Sequence, residues 1–154
     1  MKLIEAVKNQ DFEAVRRLLD VNPELINQAD ERGFTPLLYA TYMGNEELVN
    51  YLMKFNPNLN AQDISGNTAL MGVSFKGNLK MAELLLKKGA DVNLTNKKGA
   101  TAIIYAVSYN QPDMVKLLMS HGADISIKDQ DGLSARDHAR NLGFKEIEGL
   151  VSQG

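Results

Sequence analysis

The sequence predicts an all-α solenoid of stacked helix-turn-helix units with projecting β-turns, and three observations carry that expectation. Gly33, Gly66, Gly99 and Gly132 recur every 33 residues. Around each stands the same phrase: DERGFTPLLYA from Asp30, DISGNTALMGV from Asp63, NKKGATAIIYA from Asn96 and DQDGLSARDHA from Asp129. A second phrase keeps the same register, NPNLN at Asn56, GADVN at Gly89 and GADIS at Gly122. Self-similarity at a fixed period of this length is the signature of small units that bury their apolar faces on one another.

The elements follow in chain order. Residues 1–29 fit the plan without a leading turn: helices at roughly 2–9 and 11–20, then NPELINQAD, one residue longer than the matching NPNLNAQD. They are expected to form a capping helix pair. Full copies then occupy 30–62, 63–95 and 96–128, and 129–154 is a closing copy. In each copy an Asp or Asn followed three residues on by Gly predicts a tight turn with the Gly at positive φ. Thr35, Thr68, Thr101 and Ser134 are hydroxyl N-caps, and Pro36 stands at a first helical position, where its missing N–H costs nothing. The short helix stops at Gly44, Gly77, Asn110 or Gly143, residue types that tolerate the left-handed C-terminal conformation.

A second helix begins at the caps Asn45 and Asn78 and at Pro112. It carries a buried stripe at helical period, Leu48, Val49, Leu52 and Met53, with later copies Met81, Ala82, Leu85, Leu86 and Met114, Val115, Leu118, Met119. The closing copy breaks the apolar rule in two places. Arg136 replaces Leu37, Leu70 and Ile103, and Glu148 replaces Val49, Ala82 and Val115. Polar residues belong there when no further unit stacks on that face, so the solenoid is expected to end here with the chain complete.

Composition bounds the function. The 154 residues are 44% hydrophobic and 23% charged, ordinary for a globular chain. A net charge of -2 gives no general attraction to nucleic acid or to an anionic membrane, though a local basic patch stays open. The absence of Cys excludes disulfides and thiolate metal sites. No run approaches the ~20 apolar residues that span a bilayer. The amphipathic start, with Glu5 and Asp11, lacks a secretory pattern, so a cytoplasmic protein is expected unless a signal was trimmed before residue 1.

TPLLYA, TALMGV and TAIIYA, followed by GADVN and GADIS, resemble the ankyrin repeat at its characteristic period, and the likeness covers essentially the whole chain. One departure is clear. The family often has His after the TPL core, and here Leu38, Met71 and Ile104 stand there, which implies a more apolar contact between units. The resemblance implies L-shaped stacked units with turns projecting from a concave inner surface. It further implies binding of other proteins through the turn tips and the first-helix face, and rarely catalysis.

No reactive constellation competes with that reading. His121 precedes GAD, where it can interact with a helix C-terminus. His138 is next to Asp137, and adjacent helical residues point in different directions, so the two form neither a dyad nor a chelate. Nucleophile-elbow, HExxH and Walker phrases are absent, and GNLK and KKGAD are turn glycines. Acidic residues show no calcium-loop spacing. Neither a catalytic residue, a cofactor nor a metal is expected. The resemblance allows hydroxylation of Asn93, since Leu85 to Asn93 has the LxxxxxDVN shape; the plainer reading is an Asn bonded within its own turn.

The residues that vary between copies flank the turn Gly or end the first helix, and the family geometry puts them on the concave side. They include Arg32, Phe34, Tyr42 and Met43 in the first copy, Ile64, Phe75 and Lys76 in the second, and Lys97, Lys98, Ala100 and Tyr109 in the third. Four of the ten aromatics fall in this set, with Met43 and Ile64 beside them. Exposed aromatic, Met and Arg clusters are what interface cores are made of. Tyr39 and Tyr105 recur in one place and read as structural; Tyr51 and Phe55 belong to the second helix.

Charge is uneven. Residues 1–62 carry 6 Lys+Arg against 9 Asp+Glu, residues 63–128 carry 8 against 5, and residues 129–154 carry 3 against 5. A positive middle with Lys76, Lys97 and Lys98 is suited to steering an acidic partner protein. The function expected is that of a monomeric adaptor or inhibitor that holds one protein in its groove. Two other readings share the same groove: a secreted, host-directed effector, and a protective or immunity subunit for an enzyme or toxin.

Overall fold

A computed structural model describes residues 2–152. The helices are α1 (Leu3–Lys8), α2 (Phe12–Val21), α3 (Pro36–Met43), α4 (Glu46–Met53), α5 (Ala69–Lys76), α6 (Leu79–Lys87), α7 (Ala102–Ser108), α8 (Pro112–Ser120), α9 (Ala135–Leu142) and α10 (Lys145–Val151). No strand occurs among the described residues. The one element without a sequence expectation is a 3₁₀ turn, Pro23–Asn27, which takes up the extra residue of NPELINQAD.

Local chemistry sets the helix ends. The hydroxyls of Thr35, Thr68, Thr101 and Ser134 accept the N–H groups of Leu38, Met71, Ile104 and Asp137 at 3.2, 3.2, 3.4 and 3.3 Å. Asn45 and Asn78 accept those of Leu48 and Met81 at 3.0 and 3.2 Å. The first helices end where expected, down to the non-glycine Asn110 at φ 54.

Helices of six to ten residues are too short to persist alone in water, so packing must hold them. Each first helix packs on its own second helix and on the next first helix, giving a continuous row α1, α3, α5, α7 and α9. Among the second helices, α6 packs on α8 and α8 on α10. Leu37, Leu70, Ile103, Val49, Ala82 and Val115 are all but solvent-free between layers, and each large one contributes about 1.5–3 kcal/mol by burial. Leu38, Met71 and Ile104 are buried as well, so packing occupies the place a histidine hydrogen bond would hold. Arg136 is exposed, and Glu148 accepts from Arg140 Nε at 3.3 Å.

Two ladders tie the loops along the stack. Turn to turn, the N–H groups of Ile64, Lys97 and Gln130 donate to the carbonyls of Arg32, Ser65 and Lys98 at 2.9, 3.0 and 2.8 Å. The turns touch so closely that a Cβ on Gly66 would lie 2.9 Å from the Asn96 Cα, whereas one on Gly132 would meet nothing within 4 Å. In the loops after the second helices, Asn27, Asn60 and Asn93 accept the N–H groups of Asn58, Asp91 and Asp124, each at 2.8 Å. Asn93 therefore braces the following loop, and its amide also reaches the Gly122 carbonyl at 3.2 Å. The expectation of a bond within its own turn is corrected by that geometry.

Candidate functional site

Between the first helices and the turns leading into them lies an open pocket of about 390 Å³. Five of the ten residues expected to bind a partner line it: Arg32, Phe34, Tyr42, Phe75 and Tyr109. The rings are open to solvent to different degrees. Tyr42 is 54% exposed, Tyr109 50% and Phe75 37%, while Phe34 is half-buried against the core. Met43 is also half-buried and packs on the core, away from the pocket lining. Ile64 stands 62% exposed on a turn tip outside the lining. Ala100, among the varying residues, is buried and offers a partner nothing.

The rings fall into two braced groups, with Tyr42 apart from both. Phe75 and Tyr109 meet edge to face with centroids 4.3 Å apart, and Tyr109 stacks over Tyr105 at 6.5 Å. Phe34 packs against Tyr39 at 5.0 Å, and the Arg32 guanidinium lies over the Phe34 ring at 4.8 Å. Such pairs hold their rings in place before any partner arrives.

The three lysines behave differently. Lys76 reaches back from α5 to the preceding copy, where its ammonium donates to the Tyr42 carbonyl and sits 3.7 Å from the Tyr42 ring centroid. It is thus a tie between copies as well as a charge. Lys97 and Lys98 are exposed on the third turn. No described carboxylate lies within ion-pair distance of any of these three, whereas Lys80 and Lys87 are paired with Glu46 and Glu83.

Sequence reasoning missed the floor of the pocket, which Asp63, Met71 and Gly72 help to form between the flanking rings of Tyr39 and Tyr105. A recurring pair explains it. In three of the four turns the first residue bonds the side chain nine positions later: Tyr39 Oη donates to Asp30 Oδ2, Asn96 Nδ2 donates to Tyr105 Oη at 2.8 Å, and His138 Nε2 donates to Asp129 Oδ2 at 2.7 Å. The partner of His138 is Asp129, nine residues back in the sequence, and not its neighbour Asp137. In the second copy the equivalent position is Gly72, so the space that a ring fills elsewhere is open. The signal was available in the 33-residue alignment of Tyr39, Gly72, Tyr105 and His138.

The paired carboxyls are shifted accordingly. Burial pushes Asp30 and Asp129 up. The Tyr39 hydroxyl, the N–H groups of Phe34 and Arg32 and the Arg32 charge outweigh it for Asp30, and the His138 bond and charge with the N–H groups of Leu133 and Asp131 do so for Asp129. Both carboxyls end below the ordinary value. The bond to Asp30, then burial, raise the Tyr39 phenol above its usual range. His121 Nδ1 lies 3.1 Å from the Leu117 carbonyl, a helix C-terminal contact as expected.

Compared with known families, the chain matches a model described as ankyrin repeats (3 copies) over residues 3–96 and 55–129. Repeats of this kind are in general protein–protein interaction modules and typically non-catalytic. No described helix is long and apolar enough to cross a membrane.

Proposed function

This chain belongs to the ankyrin-repeat family, and on that premise we propose that it is an adaptor or inhibitor that grips one partner protein in its concave groove. The observation that carries the reading is a set of solvent-open rings lining one pocket, Phe75 and Tyr109 braced edge to face and Tyr42 held under the Lys76 ammonium. Clustered apolar surface of this kind tends to mark interaction sites, and pre-positioned aromatics lose little freedom on binding. Lys97 and Lys98, exposed on the third turn, favour an acidic partner and should speed its approach. The groove is the working surface of a monomer acting in the cytoplasm.

The test begins with affinity capture from the native cell and identification of what is retained. Against that partner, Phe34→Ala, Phe75→Ala and Tyr109→Ala should each weaken binding by ~2 kcal/mol while the far-ultraviolet circular dichroism stays unchanged. Full binding by the triple variant would refute the groove assignment.

A further inference from the structure

Each turn in this chain opens with an Asp or Asn, and in three of the four its side chain works twice. One oxygen holds the turn, accepting two backbone N–H groups, and the other end of the side chain meets a group nine residues on. In the second copy only the first half is satisfied. Asp63 Oδ1 accepts the N–H groups of Ser65 and Asn67, both at 2.9 Å. Asp63 Oδ2 receives no hydrogen bond from any described residue. The residue that should supply one is Gly72, and a Cβ built there meets nothing within 4 Å. The result is a notch at Gly72 whose lining joins the rings of Tyr39, Tyr105, Phe75 and Tyr109 with the polar side chains of Asp63, Asn67 and Arg32.

We propose that this notch receives a tyrosine side chain from the partner protein, its ring between Tyr39 and Tyr105 and its hydroxyl donating to Asp63 Oδ2. The argument is one of internal precedent. The same fold, at the equivalent place in the neighbouring copies, seats the chain's own Tyr39 against Asp30 and Tyr105 against Asn96. A ring bearing a hydroxyl is therefore a shape the site already accepts in two of its copies. An aliphatic chain would leave the carboxyl oxygen desolvated and unbonded, which is unfavourable. A cationic side chain would meet the Arg32 guanidinium, which also lines the pocket. The inference rests on the groove reading and sharpens it to one anchor.

The test uses the full chain and small probes followed by amide chemical shifts. p-Cresol, the tyrosine side chain alone, should shift the amides of Ser65, Asn67 and Gly72 saturably. Toluene, which lacks the hydroxyl, should bind about tenfold more weakly, as the loss of one hydrogen bond requires. Gly72→Tyr, which supplies the missing ring from within, should abolish the p-cresol shifts and raise the melting temperature. Asp63→Ala should bring p-cresol down to the level of toluene. Scattered shifts, equal binding of the two probes, tighter binding of n-butylammonium, or p-cresol binding that persists in Gly72→Tyr would each overturn the proposal. None of those outcomes touches the groove reading. Partner binding lost in the Phe34, Phe75 and Tyr109 triple variant but kept in Gly72→Tyr would leave the groove standing and remove the anchor.

Discussion

Phe75 and Tyr109 face each other edge to plane at 4.3 Å, although one lies in the last turn of α5 and the other follows α7 a copy later. The contact joins two repeats through rings that remain substantially exposed. It therefore has two roles that a mutation can separate, bracing the stack and presenting apolar surface. A double-mutant cycle with Phe75→Ala and Tyr109→Ala, read by urea denaturation, should give a coupling of ~1 kcal/mol, the usual worth of an aromatic pair beyond its burial. Strict additivity would mean the rings touch without supporting each other.

The turns make a sharper prediction. Gly66 and Gly132 have nearly the same backbone, φ 81 and 76, so alanine at either is strained alike by about 1–2 kcal/mol. Only at Gly66 does backbone of the next turn stand 2.9 Å from the new Cβ. Gly66→Ala should therefore destabilise more than Gly132→Ala by at least ~1 kcal/mol, because the added group must push two hydrogen-bonded turns apart. Equal costs in chemical denaturation would show that the turns separate freely.

Much of this architecture could be read from residues alone, and the reason is local. Caps, stops and the apolar stripe are each set by one or two residues repeated at a fixed spacing, so Thr68, Gly77 and Leu85 announce their own roles. What was not legible depends on pairs. Asp63 and Gly72 are ordinary singly, and the notch exists only because a ring is missing opposite a carboxyl. The neighbour of His138 in sequence is Asp137, but its partner is Asp129, nine residues back. Lys76 reads as free charge in the sequence, whereas its ammonium sits on the Tyr42 ring and carbonyl of the preceding copy.

Acid should loosen the first and last turns. The carboxyls of Asp30 and Asp129 are depressed from their ordinary value of 3.8. A carboxyl with a depressed folded pKa contributes stability that is fully present above its unfolded value and is lost as pH falls through its folded value. The melting temperature should thus hold steady down to about pH 5 and drop below 3.8. Asp30→Asn and Asp129→Asn keep a turn-forming side chain, as Asn96 demonstrates in the third copy, but have no proton to gain. Each should flatten the acid limb of the melting curve; an unchanged acid limb in both variants would locate the pH dependence elsewhere.

Ser74 offers the last test, of packing rather than recognition. Its hydroxyl is fully buried and has no hydrogen-bond partner among the described residues. One copy earlier Thr41 solves the same problem by donating to the Leu37 carbonyl at 2.8 Å, with the Leu38 carbonyl 3.1 Å away. One copy later Val107 avoids it with an apolar side chain that is equally buried. An unsatisfied buried hydroxyl costs about 1–3 kcal/mol, and removing a single oxygen leaves only a small void. Ser74→Ala should therefore raise stability by ~1 kcal/mol, seen as a higher urea midpoint at unchanged slope. Loss of stability would mean that the hydroxyl bonds a helix carbonyl as Thr41 does, and Thr would then be the stabilising replacement. Because Ser74 is wholly buried and absent from the pocket lining, partner binding should be the same in either case.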